Sequence, residues 1–141
     1  MVDAKEFLRH PNRILGDIEI LREKAEALRT NILKAVSYDK EKVQTPTGDI
    51  MAEYVAKVAD IDDKILALTE EYNDALDEVE DAVYKIESED ARTILTKRYI
   101  GRKPWHRIED ETNMAETTVF RYHQIGIRAI TKILHETQSR E

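Results

Sequence analysis

Five side chains between residues 116 and 124 fall on one face of an amphipathic segment: Glu116, Thr117, Phe120, Arg121 and Gln124. The apolar positions Val119, Tyr122 and Ile127 point the other way. Side chains of these types read base edges in a DNA major groove. Arg121 matches guanine O6 and N7, Gln124 matches adenine, Glu116 accepts from cytosine N4, and Thr117 or Phe120 meets a thymine methyl. A good bidentate contact of this sort discriminates by roughly 1 to 3 kcal/mol. Just upstream, Arg102, Lys103, His106 and Arg107 gather at the start of a short helical segment, and Arg128 lies further along. These five are candidates for phosphate contacts, which set register without reading sequence. Trp105 is expected to anchor packing or lie at an edge rather than stack on a base.

Other chemistry has little to stand on. The histidines at 10, 106, 123 and 135 have no spacing that makes a metal site with nearby carboxylates, and no cysteine offers a thiolate or a disulfide. Asp60, Asp62, Asp63, Glu70, Glu71, Asp74, Asp77 and Glu78 read as the solvated face of a long helix. No Gly-rich phosphate loop or nucleophile elbow appears. The expectation is a protein that is not an enzyme and carries no cofactor and no metal.

The elements that must position the reading face are helical. With four Gly, three Pro and 36% charged residues, the composition leaves almost no room for strand. Apolar residues step through Ile14, Ile18, Leu21, Ala25, Leu28, Ile32 and Ala35, then through Tyr54, Val58, Ile61, Ile65, Leu68, Tyr72, Ala75, Val79, Ala82 and Ile86. Both runs alternate threes and fours, which is a heptad seam. The first predicts a helix near 14–36, about 35 Å long, and the second one near 50–86, about 55 Å long. A short helix carrying Phe7 and Leu8 is expected to end before Pro11, and SYDKEKVQTPTGD at 37–49 to form the connector. The longer seam then needs cover over Tyr72–Ile86, from the N-terminal helix, the C-terminal segment or a second subunit. Beyond Ser88, or Asp90 as an equal capping choice, helices are expected at about 88–100, 104–111 and 115–136.

The resulting fold class is all-α: a long antiparallel, coiled-coil-like helical hairpin at 1–87 followed by a helix-turn-helix module at 88–141. Charge divides the chain at the same place. Residues 1–90 hold 12 Lys and Arg against 23 Asp and Glu, whereas 91–141 hold 10 against 6. If the basic end meets DNA, the acidic part must be held away from it, and binding must weaken steeply with salt.

Residues 91–134, ARTILTKRYIGRKPWHRIEDETNMAETTVFRYHQIGIRAITKIL, resemble region four of bacterial sigma factors. They also resemble a family of small phage regulators with a sigma-region-four-like C-terminus. That second likeness extends over nearly the whole chain through VQTPTGDIMAEYVAKVADID. Ile108, Asn113, Met114 and Val119 fall on the positions that hold the motif together, with Asn113 at a turn that needs positive φ. Glu109, Thr112 and Ala115 depart from the pattern, standing where a small residue, an aliphatic residue and a Ser or Thr cap are usual. Asn113 with Glu116 offers a substitute cap, at the expense of moving the helix start back.

The resemblance implies a sequence-specific, DNA-binding transcriptional regulator of phage type, inserting the helix from about 115 into the major groove. Its expected partners are double-stranded DNA, a second copy of itself in a homodimer, and RNA polymerase as a further candidate. An alternative is a protein-interaction module that inhibits or redirects RNA polymerase or another host machine. A terminase small subunit is a third reading, disfavoured because such proteins usually place the reader first. No apolar run approaches the ~20 residues needed to span a bilayer, so no membrane partner is expected and the bacterial host cytoplasm is the expected location.

Overall fold

A computed structural model describes residues 3–39 and 47–139 of the chain. Five α-helices account for nearly all of it, and among the described residues there is no strand. Helix α1 spans Ala4–Asp39 and α2 spans Thr47–Tyr84. Then come α3 (Glu89–Leu95), which runs into a π-helical turn at Thr96–Ile100, α4 (Trp105–Thr112) and α5 (Glu116–Ser139). The all-α class and the long hairpin of α1 and α2 match the heptad reading. The chain divides into two compact units, Met1–Arg13 with Tyr72–Glu141, and Ile14–Glu71.

In the Ile14–Glu71 unit the two seams are mostly half-buried: Leu21, Leu28 and Ile32 from α1, and Tyr54, Val58, Ile61, Ile65 and Leu68 from α2. Arg29 pairs with Asp62 at 3.3 Å, but both side chains are exposed and the pair contributes little. Leu33 and Leu66 remain 69% and 63% exposed, so apolar surface is left on this unit.

The other unit carries the main core. Ala4 and Leu8 of α1 and Val79, Ala82, Val83 and Ile86 around the end of α2 share one cluster with Ala91, Leu95, Tyr99 and Ile130. The stretch of seam from Val79 to Ile86 is therefore covered from within the chain, by the N-terminal turns and the C-terminal helices together. A second cluster of Ile94, Ile108 and Val119 ties α3 to α4 and α5.

Three local expectations are corrected. Helix α1 does not stop before Pro11; the proline lies inside it. A proline there removes only the bond to the Phe7 carbonyl, and burial of Ala4, Leu8 and Pro11 itself keeps the flanking turns helical against the local penalty. The connector expected at 37–49 is also shorter, because residues 37–39 belong to α1 and 47–49 to α2. Its remainder, 40–46, lies outside the described residues. The capping choice after α2 falls on Ser88, whose hydroxyl accepts from the Ala91 amide at 3.2 Å. Helix α2 ends at Tyr84, two residues before the expected limit.

Candidate nucleic-acid interface

The turn between α4 and α5 is built by Asn113, which takes φ 56° and ψ 29° at the end of α4. Asparagine tolerates this left-handed conformation better than most residues with a Cβ, so the chain reverses here without glycine. Helix α5 then begins at Glu116. The Ala115 carbonyl accepts from the amides of Thr118 and Val119, both at 3.0 Å, so the helix start has not moved back to Asn113 as a substitute cap would require. Thr112, standing where the pattern usually has an aliphatic side chain, is half-buried and donates its hydroxyl to the Ile108 carbonyl at 2.7 Å.

Val119 is buried beneath the turn and Ile108 fully so, which fixes the outward direction of α5. Glu116, Thr117, Phe120 and Arg121 are exposed, Phe120 at 62%. Gln124 is half-buried, less exposed than the other four. The Arg121 guanidinium lies 5.2 Å from the Tyr122 ring. A shallow cleft of about 540 Å³ opens beside this face, lined by Trp105, Glu109, Glu116, Thr117, Val119 and Phe120.

The basic residues divide into two sets. Lys97 Nζ reaches Glu111 Oε1 at 3.2 Å, Lys103 Nζ donates to the same oxygen, and Arg107 Nε lies 3.7 Å from Glu111 Oε2. The Lys103 bond, with that from Lys97, holds the Glu111 carboxyl below the usual carboxylate range. Two of the five phosphate candidates, Lys103 and Arg107, are thus already engaged by a carboxylate that the sequence reading overlooked. Arg102, His106 and Arg128 are exposed and, among the described residues, make no ion pair.

Arg102 stands at φ 54°. Beside it Gly101 keeps an ordinary helical φ of −78°, and a Cβ there would come within 2.9 Å of the Lys97 carbonyl oxygen. The glycine thus permits a close backbone approach, and the arginine takes the left-handed position.

Aromatic packing supports the whole motif from behind. His123 of α5 is buried, its Nε2 lies 2.7 Å from the Tyr99 hydroxyl, and its ring is met edge-on by Trp105 at 5.0 Å. The Arg98 guanidinium sits 4.4 Å over the Trp105 ring and donates to the Lys103 carbonyl at 3.1 Å. Trp105 accordingly anchors the edge of the motif, 37% exposed. Burial, and then the nearby Lys5, Arg98 and Arg9, push the His123 imidazole down to about 4. Burial raises the Tyr99 hydroxyl, with Arg9 and Arg98 opposing. Arg9, Asn12, Arg98, Tyr99 and Arg102 line a further cleft of about 250 Å³. Of its α1 members, Arg9 was legible only as part of Lys5, Arg9 and Arg13 at four-residue spacing, a basic stripe hidden inside an acidic half.

Among the described residues no three His, Asp or Glu side chains gather as metal ligands, and no helix is long and apolar enough to cross a membrane.

The chain belongs to a family described as a protein of unknown function (DUF1492), whose model matches residues 32–131. That span holds every candidate base- and phosphate-contacting residue and leaves out Arg9 and Asn12. No curated protein and no solved structure matches the chain.

Proposed function

We propose that this protein is a sequence-specific DNA-binding transcriptional regulator of phage type, reading the major groove with the N-terminal turns of α5. The observation that carries the reading is the outward face of that helix. Glu116, Thr117, Phe120 and Arg121 are exposed directly after a left-handed turn, and Arg102 and His106 are exposed at the approach to α4. This arrangement suits a helix in the groove with cations on the flanking phosphates. A homodimer through the Ile14–Glu71 unit fits its half-buried seam and its exposed Leu33 and Leu66. Paired readers would then favour half-sites about one helical turn apart.

Two measurements test the reading. Affinity for a pool of duplexes should fall steeply with added salt, and in the selected site Arg121→Ala should cost roughly 5- to 100-fold while non-specific binding changes far less. Glu111→Gln should act in the opposite direction. It releases Lys103 and Arg107 towards phosphates, so non-specific affinity rises several-fold and the salt slope steepens. Absence of duplex binding at low salt in wild type and in Glu111→Gln rules the reading out.

One feature favours a second reading, an interaction module acting on RNA polymerase or another host machine. The cleft lined by Trp105, Val119 and Phe120 is mostly apolar and carries Glu109 and Glu116 in its lining. Carboxylates beside an apolar groove suit a basic, apolar protein segment better than a phosphate backbone. Phe120→Ala separates the two: it abolishes capture of such a segment, whereas duplex binding loses only a methyl contact.

A further inference from the structure

We propose that the cleft formed by the first turns of α1 and the π-helical turn after α3 binds a phosphate group between the guanidiniums of Arg9, Arg98 and Arg102. All three line one small cavity, with Asn12 and Tyr99 completing it. None of the three is ion-paired among the described residues. The contrast with the neighbouring cations is informative, since Lys97, Lys103 and Arg107 all converge on Glu111. Cations held together without a counter-charge repel one another, and an anion bound among them relieves that repulsion.

Arg98 and the backbone around the cleft are also held in place. Arg98 is fixed by its bond to the Lys103 carbonyl and by the Trp105 face. Asn12 Nδ2 donates to the Tyr99 carbonyl at 3.2 Å, which ties the α1 side of the cleft to the π-helical turn. Arg102 is carried on a left-handed backbone that glycine would adopt at no steric cost. Strain kept at a position that presents a cation points to use of that cation. Two buried neighbours feel the resulting field, for Arg9 and Arg98 act on both His123 and Tyr99. Planar guanidinium forks match phosphate oxygens in pairs, and three around one cavity select a multiply charged oxyanion over chloride.

The phosphate has two possible sources, a DNA backbone or a free phosphorylated small molecule. The site itself requires neither duplex binding nor the reading proposed above. Inorganic phosphate is titrated into the full chain at constant ionic strength, with chloride as the reference, and amide and arginine Nε resonances are followed. Saturable shifts confined to residues 9–12 and 98–103 are expected, with loss of the response in Arg9→Gln/Arg102→Gln. Arg102→Gly adds a control for structure. It should melt no lower than wild type, because the left-handed position then holds glycine, yet bind phosphate about tenfold more weakly.

A second arm measures duplex affinity for Arg9→Gln. A several-fold loss with a salt slope smaller by about one assigns the phosphate to DNA. Unchanged duplex affinity with a lost phosphate response assigns it to a small molecule. If wild type shows the phosphate response and binds no duplex, the site stands and the DNA reading falls. The proposal is overturned if phosphate produces no saturable response and Arg9→Gln leaves duplex affinity unchanged.

Discussion

Leu95→Ala should destabilise the protein by about 2 to 5 kcal/mol, and Gly126→Ala by about 1 to 2 kcal/mol, yet the double variant should be less damaged than the two losses combined. Leu95 is fully buried, and it is the atom group that a Cβ at position 126 would meet: 2.8 Å to its Cδ1 and 2.8 Å to its Cγ. Helix α3 and α5 approach this closely because Gly126, itself buried, presents no side chain. Alanine would regain up to about 1 kcal/mol of helix propensity. The contact is too short for that gain to win, because a Leu with no exposed surface has nowhere to retreat in a close-packed interior. Removing its isopropyl group opens the space that the new methyl needs, so the coupling is favourable and on the order of 1 kcal/mol. Urea unfolding of the four species measures it. Strict additivity would mean that the helices slide apart instead, and that the close approach is not what glycine supplies.

That contact illustrates what could be read in the amino-acid order and what could not. The heptad seams announced α1 and α2 because periodic burial is a local pattern, and Asn113 announced its turn because few residues with a Cβ accept positive φ. Pro11 misled because its penalty is local while the burial of Ala4 and Leu8 that outweighs it depends on Val79 and Ile86, some seventy residues away. The cover over the end of the second seam was open to three candidates for the same reason: the partners of Val79 and Ile86 are brought up by the tertiary fold. Within the candidate interface, the direction of Thr117, Phe120 and Arg121 followed from helical spacing; of the contacts of Glu111 only the pair with Arg107 did, since its grip on Lys97 and Lys103 spans fourteen and eight residues. Arg9 was lost for a different reason. Summed over the first 90 residues the chain is strongly acidic, and a sum over a long stretch hides three cations on one short helical face.

Acidification should destabilise the protein through His123 before most carboxylates are neutralised. The imidazole is buried at 7% exposure, and its folded value lies near 4 against 6.5 when unfolded. With the folded value depressed, the stabilising contribution is complete above pH 6.5 and is lost as pH falls through the window down to about 4, where the unfolded chain takes up the proton more readily. About 2 kcal/mol should be gone by pH 5 and about 3 kcal/mol by pH 4, a large share of the stability of a small domain. The cause is burial first and then the cations Lys5, Arg98 and Arg9, so added salt should soften the second part and leave the first. Protonation also puts a charge between Tyr99 and Trp105, the aromatic contacts that join α5 to the π-helical turn and α4. His123→Gln removes the titration and keeps a side chain able to reach the Tyr99 hydroxyl. Plotted against pH, the difference in urea midpoint between wild type and His123→Gln isolates this group from Glu111, whose contribution disappears only at lower pH. An imidazole titrating near pH 6.5 in the folded protein, followed by its Cε1 proton resonance, would contradict the prediction directly.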